Sequence, residues 1–479
     1  MTLGFRSPLS CLAMLGAMLP GAPALAAGFD CGRAAGATET AICADPALRG
    51  LDGRLSALYG QLGRAKGRQS GALRPAQLNW LKARDRCEAN AGCIQERYRE
   101  RIEALRTQLR DALAYQPDSV DRQALEDLRR DVEAMRKSDP EFPLEKALQG
   151  LAITRGMTTF SNVNDEKEPD GGAHFPKVRP AGVTGDEWQA LLASKIDAGG
   201  ENGSANYTLV DLDGDGRRDL VLDSYVGGTG LFSYTSALRR DGGKFSGAYR
   251  SGFEDTGRDA AGDPGDAAAP AYLYSSNGRG ANQAGYWIRL RGRVYAAYRV
   301  SYYGVDNIYL LRPLTVVGEV PKLAVHYRYR LSVPRIQRDE EKGTTTTLDD
   351  ALHAALTRAL DGVNKEPAKD AAGQEKPLCP IPATVSGDES GAYYGYGPAH
   401  YSYETAADMA IWLGRQCHVG RLVDWFGGYS AKEKLYAQLW MRKPDEGENA
   451  RQQTFSIHGV RSAIGVATSI AKVEGDNGA

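Results

Sequence analysis

The placement of its cysteines restricts this chain more than any other feature. Cys31, Cys43, Cys87 and Cys93 lie close to the N-terminus, Cys379 and Cys417 lie near the C-terminus, and nothing between them can be cross-linked. A disulfide needs Cα atoms within about 7 Å. Four cysteines therefore fold the N-terminal stretch back on itself, and two more pin the C-terminal stretch. The long span between them must hold together by its own core. An even set of cysteines suits an oxidising compartment. No C-x-x-C pair accompanies them, which disfavours a structural zinc.

The seventh cysteine, Cys11, belongs to a different kind of segment. Arg6 precedes the apolar run "LSCLAMLGAMLPGAPALA", which ends in Ala24-Leu25-Ala26. A positive start, an apolar core and an A-x-A site describe a secretory signal peptide over residues 1–26. Pro20 and Pro23 break the run short of the ~18 unbroken apolar residues that a membrane span needs. No later segment is long and apolar enough to span a bilayer. A periplasmic or secreted location is expected.

At 479 residues the chain exceeds one core, and the patterning changes along it. Residues 28–115 carry three amphipathic stripes. Leu48, Leu51, Leu55, Leu58 and Leu62 form the first, behind an Asp45-Pro46 start; Leu73, Gln77, Trp80, Leu81 and Arg84 the second; Ile94, Tyr98, Ile102, Leu105 and Leu109 the third. They predict a small all-α domain stapled by disulfides. Residues 116–160 add a helical linker, with Leu125, Leu128, Val132 and Met135 on one side, as a bridge or lid on the next domain. Residues 161–362 predict a β-rich domain. A capping box, Thr184 to Glu187, starts a helix there. Alternating runs such as "YWIRLRGRVYAAYRVSYYG" then read as half-exposed strands, with a hairpin at Gly292. "TLDDALHAALTRAL" predicts a helix after the sheet. A polar linker over 363–377 leads to an α+β C-terminal domain, 378–479, with a helix over "TAADMAIWLGRQC", then "KEKLYAQLWM" and a loose tail. The fold class expected is thus multidomain.

Within the β-rich stretch, "YTLVDLDGDGRRDLVLDSY" crowds carboxylates between two apolar runs. Asp211, Asp213, Asp215 and Asp219 fall at positions one, three, five and nine of a tight loop, and Arg217 at position seven offers a backbone carbonyl. Converging oxygens suit calcium. An EF-hand would need Glu at position twelve, where Leu222 stands, and helices on both sides. The loop resembles the calcium loops of FG-GAP and VCBS-type β modules, with the pattern D-x-D-G-D-G-x-x-D between strands. That resemblance implies a structural calcium. The pattern occurs once, whereas a propeller would repeat it. A metal-free Asp/Gly hairpin is the alternative.

The N-terminal segment pairs "FDCGRAAGATETAICADPALRGLDGRLSALY" with "AQLNWLKARDRCEANAGCIQERYRERIEAL". Asp30-Cys31, Glu39, Cys43, Leu51-Asp52, Tyr59, Gln77, Trp80, Arg84-Asp85, Cys87, Cys93, Tyr98 and Arg101 carry a pattern that resembles the LprI-type lysozyme-inhibitor domain family. The resemblance implies an exported helical domain with paired cysteines, and lysozyme inhibition as an activity. Trp80 and Tyr98 read as core aromatics, and Glu39, Arg84 and Asp85 as a polar brace between helices. An antiparallel hairpin favours Cys43–Cys87 with Cys31–Cys93; the sequential pairing, Cys31–Cys43 with Cys87–Cys93, stays open. Cys379–Cys417 follows by elimination.

Charge bears on partners. The whole chain is near neutral, net −1, which points to no nucleic acid. Residues 28–115 hold 15 Lys+Arg against 10 Asp+Glu, a balance of +5. A strongly cationic lysozyme lacks electrostatic steering toward such a domain, and an acidic cell-wall polymer or acidic envelope protein has it. H-E-x-x-H, G-x-S-x-G and a Gly-rich phosphate loop are missing. Ser469 and Lys472 form an isolated S-x-x-K. The Tyr-rich loop with Tyr394, Tyr396 and His400 offers a surface for a partner. The expected function is a non-enzymatic envelope binding protein acting as a lysozyme inhibitor through its helical domain. The alternative is an envelope hydrolase with an unrecognised site in the C-terminal half, near His400 or His418.

Overall fold

The computed structural model describes residues 29–66, 71–164, 172–196, 204–228, 231–247, 271–278, 283–302, 304–339, 343–363, 371, 373–394, 404–425, 435–446 and 452–474. The expected signal peptide lies outside them. The chain divides into two compact units, Met1–Leu113 and Ala114–Ala479. The helical, β-rich and α+β regions of a multidomain fold are all present.

Among its described residues the first unit has four helices, α1 (Ala37–Ala44), α2 (Pro46–Lys66), α3 (Leu73–Asp85) and α4 (Ala91–Leu113), after a 3-10 turn at Cys31–Arg33. The stripes behave as their spacing requires. Ile94, Tyr98, Ile102, Leu105 and Leu109 are all buried on α4, as Leu48, Leu55 and Leu62 are on α2. The two helices pack side by side in the same direction, Asp52 beside Tyr98 and Gln61 and Ala65 beside Leu109 and Leu113. Helix α1 adds to the three helices that the stripes predict, and it corrects the cysteine pairing. It carries Cys43 back to Cys31, and those two are bonded, with Cα atoms 5.7 Å apart. Cys87 and Cys93 bracket the tight turn between α3 and α4 and are bonded at 5.6 Å. The crossed pairing that a plain helical hairpin favours is therefore replaced by the sequential one. Each bridge staples one local corner of the unit.

The second unit begins with the expected linker, which is a layer of the fold. α5 (Ser119–Ser138) and α6 (Pro143–Leu151) lay Ala124, Leu125, Leu128, Val132, Leu144 and Leu148 on a sheet. That eight-stranded antiparallel sheet has the order β15-β16-β17-β18-β12-β11-β10-β9. Its strands are β9 (Gln283–Leu290), β10 (Arg293–Tyr302), β11 (Val305–Leu311), β12 (Glu319–Ser332), β15 (Glu404–Leu413), β16 (Gln416–Trp425), β17 (Leu435–Arg442) and β18 (Gln453–Lys472). A second sheet joins β1 (Thr158–Ser161), β4 (Ala205–Val210), β5 (Asp219–Gly227), β6 (Phe232–Asp241) and β7 (Lys244–Gly247), with β8 (Ala271–Asn277) also on β6.

Period-two alternation stacks these layers. On β10, Tyr295 and Ala297 face the helices, whereas Val294, Ala296, Tyr298 and Val300 face the second sheet. On β5, Val221 faces the first sheet, whereas Leu220 and Leu222 face α7 (Gly185–Ser194). The order is helices, sheet, sheet, helix. The capping box of α7 forms as its sequence specifies, Thr184 with Glu187.

Two findings alter the C-terminal picture. "TAADMAIWLGRQC", expected as a helix, is β15 and the start of β16, a hairpin in register from Glu404↔Trp425 to Leu413↔Gln416. Ala407, Met409, Ile411 and Leu413 alternate toward α8 (Asp350–Leu360), which covers that half of the sheet. Burial on one face decides for a strand over the helix propensity of Ala, Met and Leu. Second, the linker at 363–377 does not divide the sheet, because β18 pairs with β12 over Glu319↔Lys472 to Ser332↔His458. Ser469 and Lys472, placed beside a loose tail by sequence, are ladder residues of β18. The small β13 (Ile336–Asp339) and β14 (Thr344–Thr347) form a separate hairpin, as β2 (Val163–Asn164) and β3 (Ala173–His174) do.

Candidate functional site

The residues that carry the N-terminal pattern converge inside the helical unit. Arg84 on α3 is 4% exposed and would be a buried unpaired cation without partners. Its Nε and Nη2 donate to Asp85 Oδ1 at 2.9 and 2.7 Å, and its Nη1 donates to Tyr98 Oη at 3.2 Å. Tyr98 in turn donates to Asp52 Oδ1 on α2 at 2.7 Å. One chain of polar contacts thus runs from α2 through α4 to α3. Burial and the Asp52 carboxylate push the Tyr98 hydroxyl far above its ordinary range, so it stays protonated and donating.

Aromatic and amide groups close the same joint. Trp80 meets Tyr98 edge-on at 5.2 Å, lies under the Arg84 guanidinium at 5.6 Å, and donates its indole N–H to Arg97 O. Arg101 donates twice to Gln77 Oε1. Glu39 accepts from Ala35 N at the start of α1, and Thr38 donates to Asp85 O. The brace between helices runs from Arg84 through Tyr98 to Asp52; Asp85 holds Arg84 on the same helix, and Glu39 caps the start of α1 and takes no part in that chain of contacts. Asp52 interrupts a leucine stripe, and a buried carboxylate at such a position is the signal that marks it.

The aspartate loop joins β4 to β5, strands on both sides. Gly214 and Gly216 have φ of +80° and +84°, which L side chains rarely adopt. Asp211, Asp213 and Asp215 each bring a carboxylate oxygen within 4.8 Å of the others. Asp211 accepts from Gly214 N and Gly216 N, Asp213 pairs with Arg239 at 2.7 Å, and Asp215 pairs with Arg217 at 2.7 Å. The two arginines offset the crowded charge. Asp219 does not join the cluster. It is buried and accepts from Leu212 N and Arg240 N, and burial pushes its carboxyl up to about 6. The side chain of Arg217 serves Asp215, a role its position alone does not suggest. Three carboxylates on one turn have the donor chemistry of a hard-cation site.

In the C-terminal half, Cys379 and Cys417 are bonded, and the bridge ties the segment before Tyr393 to β16. Tyr394 is half-buried at the end of a 3-10 turn, with its N–H on Gly391 O. Tyr396 and His400 lie outside the described residues. His418 is a buried residue of β16, opposite Ile411.

Set against known families, residues 31–105 match the model for Lysozyme inhibitor LprI. That match covers the two bridges and the brace and supports the resemblance drawn from the residues. No curated protein and no solved structure matches the chain. Among the described residues, no helix is long and apolar enough to cross a membrane.

Proposed function

We propose that this chain is an exported, non-enzymatic envelope binding protein whose helical unit binds and inhibits lysozyme, with the β unit as its carrier. The observation that carries this reading is the LprI match over residues 31–105, laid on a unit cross-linked twice and braced internally. Three disulfides fit an oxidising compartment, and the apolar segment over residues 1–26 supports export to it. Binding by a rigid unit loses little conformational entropy on association, which suits an inhibitor.

The aspartate loop is proposed as a weak structural calcium site held by Asp211, Asp213 and Asp215. Calcium there would brace the turn between β4 and β5. A hydrolytic reading of the C-terminal half would need His418 or His400 at a pocket; the first is a buried strand residue and the second lies outside the described residues.

The test is lysis of cell-wall suspensions by a lysozyme, with the chain from residue 28 onward and with residues 28–115 alone. Inhibition by both is expected. Inhibition by neither removes the reading, and inhibition by the long chain alone moves the activity to the β unit.

A further inference from the structure

Of the LprI pattern, Asp52, Arg84 and Tyr98 are buried and spent on one another. The outward side of α3 carries a different set. Arg74, Leu78 and Lys82 stand four residues apart, which puts them in one row along the helix. All three are exposed, Leu78 to 49%, and Arg86 extends the row past the helix end. An exposed leucine flanked by cations at both i−4 and i+4 is an apolar anchor within a positive rim. The acid nearest in sequence, Asp85, is held by Arg84.

The helix that presents this row is fixed from behind. Arg84 and Trp80 hold it to Tyr98, Gln77 holds it to Arg101, and the Cys87–Cys93 bridge fixes its exit. A preorganised apolar anchor with polar surroundings is the arrangement that concentrates binding energy. With lysozyme as the partner that the family match supplies, the charge of the row selects where on it the row can dock. Lysozymes cleave through a pair of carboxyl groups in a substrate cleft. A net-cationic lysozyme repels a cationic domain over most of its surface, and its acidic cleft is where a positive row finds complementary charge.

We propose that the outward row of α3, Arg74, Leu78, Lys82 and Arg86, docks into the acidic substrate cleft of lysozyme and blocks it. This rests on the lysozyme-binding reading above and names the surface that performs it. Inhibition then arises by occupying the cleft, with no covalent step.

The experiment compares three forms of the chain from residue 28 onward in the lysis assay: unsubstituted, R74E/K82E, and R33E/R54E. The last pair changes net charge equally at exposed positions outside α3. Circular dichroism and the melting temperature confirm folding of each. R74E/K82E is expected to raise the half-inhibitory concentration at least tenfold, and R33E/R54E to leave it within twofold. Leu78→Ala, which alters no charge, is expected to weaken inhibition about fivefold, and an N-acetylglucosamine trimer filling the cleft is expected to compete with the complex. Equal losses from both charge pairs, no loss from R74E/K82E, or a complex indifferent to the trimer would each overturn the docking assignment while leaving lysozyme binding intact. Absence of inhibition by the unsubstituted chain would instead remove the function itself.

Discussion

Tyr98 on α4 donates its hydroxyl to Asp52 on α2 at 2.7 Å, and accepts from Arg84 on α3. One phenol thereby joins three helices. Removing it as Tyr98→Phe keeps the ring against Trp80 but leaves a buried carboxylate and a buried guanidinium short of one partner each. Loss of a hydrogen bond to charged groups costs about 1.5–3 kcal/mol. The measurement is urea unfolding of residues 28–115 followed by the fluorescence of Trp80, the only tryptophan there. An unchanged midpoint would show that the joint does not stabilise the unit.

The two N-terminal bridges close short loops, with sequence separations of 12 and 6. Loop entropy assigns them about 3 and about 2 kcal/mol respectively. Replacing each pair by serine should lower the stability of residues 28–115 in that order, Cys31/Cys43 more than Cys87/Cys93. The Cys379–Cys417 bridge, with a separation of 38, is worth about 4 kcal/mol on the same basis. Its removal should leave unfolding of the helical unit unchanged, as read by Trp80 fluorescence in a chain whose other tryptophans are phenylalanine.

How much of this is legible in the sequence depends on whether one face of an element is buried alone. The α4 stripe is readable because it presents a single apolar set with a clear period; β10 is readable as a strand, but it is buried on both faces where its alternation with tyrosine and arginine predicts a half-exposed strand. β15 is not. Its period-two set, Ala407, Met409, Ile411 and Leu413, is made of residues that also favour helices, and the two-residue turn Gly414-Arg415 is the signal that separates the two readings. The sequential disulfides are hidden for a related reason: α1 is too short and too weakly striped to be seen, yet it returns Cys43 to Cys31. In the brace, Arg84 and Asp85 are readable as a polar joint. The bond from Tyr98 to Asp52 is not, since it spans 46 residues and depends on how α2 and α4 pair.

Acid should act on the second unit through Glu187. Burial alone would raise its carboxyl, but hydrogen bonds from Arg218 and from Thr184 outweigh burial and hold it at about 2. A carboxyl depressed by folding stabilises the fold fully above its unfolded value, near 4.5, and that contribution is lost as pH falls toward about 2. Glu187→Gln should therefore lower the melting temperature at pH 6, on the order of 2 kcal/mol of stability, and the difference from the unsubstituted chain should vanish near pH 2. A difference that persists unchanged across that range would place the loss in packing of α7 and not in the carboxylate.

Calcium at the aspartate loop has to compete with two arginines. Arg217 holds Asp215, its hydrogen bond keeping that carboxyl below the usual range, and Arg239 holds Asp213. A calcium ion would have to displace both guanidinium groups from the oxygens it needs, which puts binding in the weak regime of about 10⁻⁴–10⁻³ M. At 10 mM calcium the linkage is then about 1–3 kcal/mol, enough to raise the melting temperature by a few degrees. Arg217→Gln should strengthen the response by releasing Asp215, and the double substitution D213N/D215N should abolish it while slightly easing the crowded charge. Differential scanning calorimetry with calcium and with magnesium separates the cases. A shift with calcium that grows in R217Q supports the site. No shift in either form, together with a D213N/D215N variant that melts higher than the unsubstituted chain in both salts, identifies a metal-free turn whose charges are balanced by its own arginines.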